Sequence, residues 1–447
     1  MPLQTRISFE AAIAGLALLA SLFCCVGVAQ RRVASEKPKG VTSVDDSFTQ
    51  MFNSEPFQAP VPRQEIRTVA SPPPPAPRAT ATGAPSVLRW GVDDELNSRI
   101  PLPLGWDARN GASPQRRFKI ALPETVRPSN LLALADRLVV SGAGPWALLD
   151  LSGRLLGQRS SALGSVTLDP GGVRVIGGND DGTLQLWRLS DAAPDASARP
   201  FRLRNHSRSF IATRGSRLLV LSDELDMDVH AAPEEKSMIE LIDLAHPDGP
   251  YAMKVLRKAA PMQVALHGDR VFIAASNRIF VLGLDLQFLE AWAAEFKPLA
   301  ISLDEGPNVY LLVHTGGKVS LWKVTPKAER AWETPVSLES GMLLQPPIVG
   351  YDHRVYLVNA RQITAISPTG QVLWQREGAG GIRGAFVTAD DRVVTTEGSQ
   401  IAAWNTAGER QLIHDCGDAL VTPPILSADG CLYVASTSHL YAVQLPR

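Results

Sequence analysis

From about Asn130 to Arg447 the chain repeats one phrase eight times: a short apolar run, a turn, an alternating strand, a second turn, another alternating strand, and a final strand rich in large side chains. The repeats are clearest near the C-terminus. One unit reads Pro346-Pro-Ile-Val-Gly, His353-Arg-Val-Tyr-Leu-Val, Gln362-Ile-Thr-Ala-Ile and Gly370-Gln-Val-Leu-Trp374. The next carries Asp391-Arg-Val-Val and Gln400-Ile-Ala-Ala-Trp404, and the last carries Pro423-Pro-Ile-Leu, Asp429-Gly-Cys-Leu-Tyr-Val and His439-Leu-Tyr-Ala-Val. Upstream, Asp136-Arg-Leu-Val-Val, Asp269-Arg-Val-Phe-Ile and Asn308-Val-Tyr-Leu-Leu hold the second-strand position. Period-two alternation of β-branched and aromatic residues between Gly, Asp and Pro marks strands bounded by turns. Four short strands per unit, at a period of roughly 40 residues, predict an all-β fold: an eight-bladed β-propeller of four-stranded antiparallel blades.

The last repeat stops one strand short, since Leu440 to Leu445 is its third strand and the chain ends at Arg447. Upstream of the first full repeat lies an orphan strand, Arg117-Phe-Lys-Ile-Ala-Leu122. One strand missing and one spare predict that the orphan becomes the outer strand of the final blade, closing the ring and removing its open edges.

The phrases Pro-Pro-Ile, Asp-Gly-x-Leu-Tyr-Val, Leu-Tyr-Ala-Val and Gly-x-Val-Leu-Trp resemble the repeats of quinoprotein-type, or PQQ-like, propellers. That superfamily includes the outer-membrane β-barrel assembly lipoproteins of Gram-negative bacteria and the quinone-dependent alcohol dehydrogenases. Gly105-Trp-Asp-Ala-Arg-Asn-Gly-Ala-Ser-Pro114 resembles the segment that often precedes the first blade in such proteins. The second blade departs: Gly178-Asn-Asp-Asp-Gly-Thr-Leu-Gln-Leu-Trp187 reads like a WD-type repeat. The resemblance covers about residues 100 to 447 and implies a fold; propellers host many unrelated functions.

A different kind of sequence precedes the propeller, giving three regions: 1–30, 31–88 and 89–447. Ala11 to Ala29 is an uncharged, mostly apolar run between Glu10 and Arg31. As a helix it spans roughly 28 Å, enough for a signal-anchor, while Gly27-Val28-Ala29 offers a signal-peptide cleavage site. Arg31, Arg32, Lys37 and Lys39 follow it, a charge pattern that favours a cytoplasmic C-terminal side. The envelope location of PQQ-like relatives implies the opposite, export. Residues 31 to 88 hold Ser71-Pro-Pro-Pro-Pro-Ala-Pro77 and few large apolar groups, so they are expected to be a disordered tether.

A formal net charge of −1 does not suggest nucleic acid as a partner. The four cysteines make no disulfide framework. Cys416 ends an outer strand and Cys431 begins a second strand, with the whole inner strand, about 420 to 427, between them. The two are therefore expected to be free thiols at opposite ends of a blade. The eight histidines are scattered singly, and no Cys-x-x-Cys, His-Glu-x-x-His or Gly-x-Ser-x-Gly occurs. Gly142-Ala-Gly144 and Gly378-Ala-Gly-Gly-Ile-Arg-Gly384 fall where propeller turns belong, with no helix after them to make a phosphate site. Neither a catalytic residue nor a cofactor is expected.

One insertion stands out. Ser222 to Lys236 reads as a long loop between the second and third strands of the third blade, carrying Asp223, Glu224, Asp226, Asp228, Glu234 and Glu235. It suits a solvated loop, contact with a protein partner, or a hard cation at Asp226 and Asp228. The recurring Trp187, Trp322 and Trp404 in third strands, and Trp292, Trp332 and Trp374 in fourth strands, predict packing between blades. The resulting expectation is a non-catalytic scaffold that binds a protein partner at a membrane. A quinone-dependent oxidoreductase and a cytoplasmic-facing WD-like platform are the alternatives.

Overall fold

The computed structural model describes residues 88–89, 99–100, 103–104 and, with breaks at several turns and loops, 113–446. Ala11 to Ala29 and most of the tether expected over 31–88 lie outside the described residues; Leu88 does not, because it already belongs to a strand, Leu88–Arg89. Every regular element among the described residues is a β-strand, and none of them forms a helix long and apolar enough to cross a membrane.

The strands assemble into eight sheets. The first contains Pro128–Ala133, Arg137–Gly142, Trp146–Asp150 and Leu155–Arg159, paired antiparallel in chain order. The same meander recurs over 166–202, 210–257, 261–293, 297–335, 348–377 and 382–415. The eighth sheet runs Ile425–Leu426, Cys431–Ala435, His439–Gln444 and then Gln115–Ala121, the spare strand, as its outer member. Its inner strand is shorter than the eight residues expected: Ile425–Leu426, with a single bridge from Leu420 to Ser436. Two further strands add to inner edges. Leu88–Arg89 pairs with Pro128–Ala133, and Arg99–Ile100 with Ile382–Thr388.

Neighbouring sheets touch. Val166–Leu168 meets Phe210–Arg214, and Pro261–His267 meets both Arg217–Leu225 and Lys297–Leu303. Ile348–Val349 meets Lys297–Leu303 and Ile382–Thr388, and Ile425–Leu426 meets Pro128–Ala133. The Trp146 and Trp187 rings join the first two sheets edge to face at 5.6 Å. The Thr396 hydroxyl donates to the Thr422 carbonyl at 3.0 Å between the seventh and eighth. Because each sheet is covered on both faces, strands such as Val355–Val358 and Cys431–Ala435 are buried at every position. Alternation survives only in outer strands; in Val372–Glu377 Trp374 alone is buried.

The outer-strand aromatics show how one sheet is fixed to the next. Trp332 Nε1 donates to the Pro368 carbonyl at 2.9 Å, and Trp374 Nε1 to the Thr406 carbonyl at 3.0 Å. Each indole lies on the tight turn between the third and fourth strands of the following sheet. Those turns close on Gly370 (φ 87) and Gly408 (φ 77). A Cβ there would come within 2.9 Å of Trp332 and 2.8 Å of Trp374, so glycine is required by both conformation and space. The spare strand repeats the device with another ring: Gly153 (φ 88) in the first sheet would place a Cβ 3.1 Å from Phe118 and 3.0 Å from Ile120. Gln115–Ala121 therefore relates to the first sheet as the tryptophan strands relate to their neighbours. The outer strand Arg410–Asp415 carries no such aromatic.

Candidate partner-binding surface

The polar groups buried in the described sheets are mostly occupied in holding turns and edges. Glu397, 1 % exposed, ends the second strand of the seventh sheet. Its Oε1 accepts from Thr395 Oγ1 at 2.6 Å and Trp404 Nε1 at 2.9 Å; its Oε2 accepts from Ala379 N and Arg410 Nε, both at 2.9 Å. Four donors compensate the desolvated carboxylate, so it acts as a structural joint. Asp304 is likewise saturated by Gly306 N, Asn308 and the Tyr310 hydroxyl. No group of three metal-ligating side chains occurs among the described residues. Cys416 and Cys431 are free and buried, and burial pushes their thiols up to about 12 and about 11.

One carboxylate is strained electrostatically. Asp391, in a left-handed turn (φ 56), accepts from Asp352 N at 3.1 Å. Burial first, and the Asp352 charge second, push it up to about 6. The folded chain binds this proton more tightly than an unfolded one does. The resulting stability is full below about pH 4 and is lost as pH rises through about 6. Asp391→Asn keeps an acceptor and a residue type that tolerates the backbone, and removes the charge. Its unfolding free energy should match the parent's at about pH 4 and exceed it at about pH 8, by about 1 kcal/mol after solvent screening of this half-buried group, which chemical denaturation at the two pH values measures. A pH-independent difference would show that the carboxyl does not titrate in that window.

The acidic insertion differs from the loop expected. The second and third strands of the third sheet are Arg217–Leu225 and Glu235–Asp243, nine residues each. Their ladder continues through Asp223↔Ser237, Glu224↔Lys236 and Leu225↔Glu235. Asp223, Glu224 and Glu235 thus lie on paired strands, whereas Asp226, Asp228 and Glu234 fall outside the described residues. The described inner strand pairs with the second as far as Phe210↔Leu221, and the outer strand with the third as far as Lys236↔Arg257. Past Leu221 the ladder of the second and third strands continues as an acidic ribbon, flanked by the outer strand as far as Lys236. Asp and Glu are poor strand formers, so the pattern read as a loop; in the ladder Leu221, Asp223 and Leu225 face Ile239, Ser237 and Glu235.

Sequence reasoning missed the joint at Glu397 and the edge pairing of Arg99–Ile100. It also missed Gln345, whose amide takes both the N–H and the C=O of Ala385 at 2.9 and 3.0 Å.

No family model and no curated protein matches the chain. Among solved structures, BamB from Moraxella catarrhalis superposes with a TM-score of 0.55 at 14% identity, over 75% of this chain and 99% of that one. What the chain shares with BamB is its fold, a β-propeller.

Proposed function

We propose that this chain is a non-catalytic scaffold: an eight-bladed propeller, closed by Gln115–Ala121, that presents an acidic ribbon to a protein partner in the cell envelope. Residues 11–29 hold it at, or direct it across, the membrane. The ring reading is supported by the sequence of sheet contacts, by the pairing of the spare strand and by Phe118 on Gly153. Export follows from the likeness to envelope propellers. The observation that carries partner binding is the ribbon, where the acidic second and third strands run on past Leu221, the last second-strand residue paired with the inner strand. Protruding loops and hairpins on a rigid scaffold are where binding concentrates.

Acidic groups on a rim steer encounter with a basic surface and make it sensitive to salt. Replacing Asp223, Glu224, Asp226 and Asp228 by Asn or Gln should slow association and flatten its salt dependence without lowering the melting temperature. The measurement is recovery of the partner from the envelope fraction at low and moderate ionic strength, for parent and variant side by side. Equal salt dependence in the two would reduce the ribbon to a solvated extension. A C-terminal reporter active only outside the cytoplasm checks the compartment.

A further inference from the structure

The inner edges of the sheets are not left bare where the structure shows their partners. Gln345 caps Ala385 through both backbone groups, and Gln263 Oε1 accepts from Ile301 N at 2.8 Å. At the ends of two inner strands the cap is instead a piece of backbone. Leu88 and Arg89 lie antiparallel to Ala133 and Leu132 of the first sheet; Arg99 and Ile100 lie parallel to Val387 and Thr388 of the seventh. Ile100 and Leu104 are 4% and 3% exposed, in the same apolar cluster as Ala133 and Phe386. Leu104 N donates to Asp390 Oδ1 at 2.8 Å, and Arg392 holds that carboxylate from the other side at 3.3 Å.

We infer that these inner edges form a strand-accepting site for an extended peptide with apolar anchors, which Leu88–Arg89, Arg99–Ile100 and Leu104 occupy in cis and can vacate. The site accepts a strand in either direction. Its specificity comes from the buried apolar positions that Ile100 and Leu104 hold in one cluster and from the Asp390 acceptor. The cis occupant is held lightly. Each of its pairings is two residues long, against five or more in most blade ladders. Pro101 and Pro103 have no N–H with which to lengthen them. Short ladders with few partners open before the sheets that carry them. Both pairings sit at the end of the sheets opposite the acidic ribbon, so this site is independent of the partner surface proposed above.

The test uses the full chain with a protease site inserted between Leu104 and Ser113, and a labelled synthetic peptide of residues 86–105 as probe. While tethered, the cis segment competes at an effective concentration on the order of millimolar. Cutting the tether at micromolar protein should raise uptake of the probe on the order of 100-fold. A probe carrying Ile100→Asp and Leu104→Asp should lose that uptake. No gain on cutting, or equal uptake of both probes, would overturn the inference. Hydrogen exchange of the uncut chain gives a second readout. The Leu104 amide should exchange at least about tenfold faster than amides of Val393–Glu397. Equal protection would mean that the segment leaves only when its sheet unfolds, and would also overturn it.

Discussion

Deleting residues 116–123 should lower the melting temperature sharply and promote aggregation. The deletion removes the strand that covers His439–Gln444, whose Leu440, Tyr441, Ala442 and Val443 are fully buried in the intact chain. An open edge lined by such residues is a template for pairing with another copy. Two clasps are lost with it. Arg117 reaches Asp429 at 3.1 Å, and Lys119 reaches Asp418 at 3.0 Å with its ammonium 5.3 Å from the Tyr441 ring. Tyr441 and Lys119 together hold the Asp418 carboxyl below the usual carboxylate range. Both pairs are partly exposed, so they fix the register of the strand more than they stabilise it. The larger loss is apolar. Phe118 and Ile120 leave the Gly153 turn, and Leu122, 6% exposed, leaves the core. Phe118 and Ile120 are half-buried, so each alone contributes less than the ~3–5 kcal/mol of a fully buried Phe, but the deletion removes both together with Leu122 and the whole backbone ladder. Sedimentation and thermal melting decide the matter: a variant that stays monomeric with an unchanged melting temperature would count against closure by this strand. Phe118→Ala, which leaves the backbone ladder intact, should give a smaller drop without aggregation.

The parts of this molecule that were legible in the sequence are those where geometry forces a repeated composition. Second and third strands are enclosed on both faces, so Val355–Val358 and Gln400–Trp404 had to be apolar, and the bounding turns had to be Gly, Asp or Asn. The pairing of the spare strand with the last sheet was legible by arithmetic, one missing and one spare. Its docking on Gly153 was not, because Phe118 stands where other sheets use tryptophan. The inner-edge segment was illegible for a related reason. Two-residue strands flanked by Pro101 and Pro103 leave no periodicity, and the contact from Leu104 N to Asp390 joins residues 286 positions apart. The acidic ribbon was seen as an insertion but misread as a loop, since Asp223 and Glu224 carry no apolar alternation of their own. Glu397 gave no signal in the sequence; only the folded sheet brings Arg410 and Trp404 to it.

Trp374→Ala should cost about 3–5 kcal/mol, the range for deleting a large buried aromatic. The side chain is 7% exposed and binds two sheets. Its ring lies 6.4 Å from Trp404 of the next sheet at an interplanar angle of 18°, and 6.0 Å from Tyr356 of its own. It also covers Gly408, so truncation leaves a cavity over a turn that cannot fill it, because Gly408 has no side chain and a left-handed backbone. The indole N–H bond to the Thr406 carbonyl adds a smaller part, about 1 kcal/mol. Trp374→Phe separates the two contributions, keeping most of the ring and losing the N–H. The neighbour Leu373 supplies the control. It is 45% exposed, and Leu373→Ala should change stability by no more than about 0.5 kcal/mol. Chemical denaturation of the three variants therefore predicts a steep order, with Trp374→Ala far below Trp374→Phe and Leu373→Ala near the parent. A loss below about 1 kcal/mol for Trp374→Ala would mean that neighbouring sheets are held by strand contacts alone. The aromatic-on-glycine device would then be a consequence of the packing and not its cause.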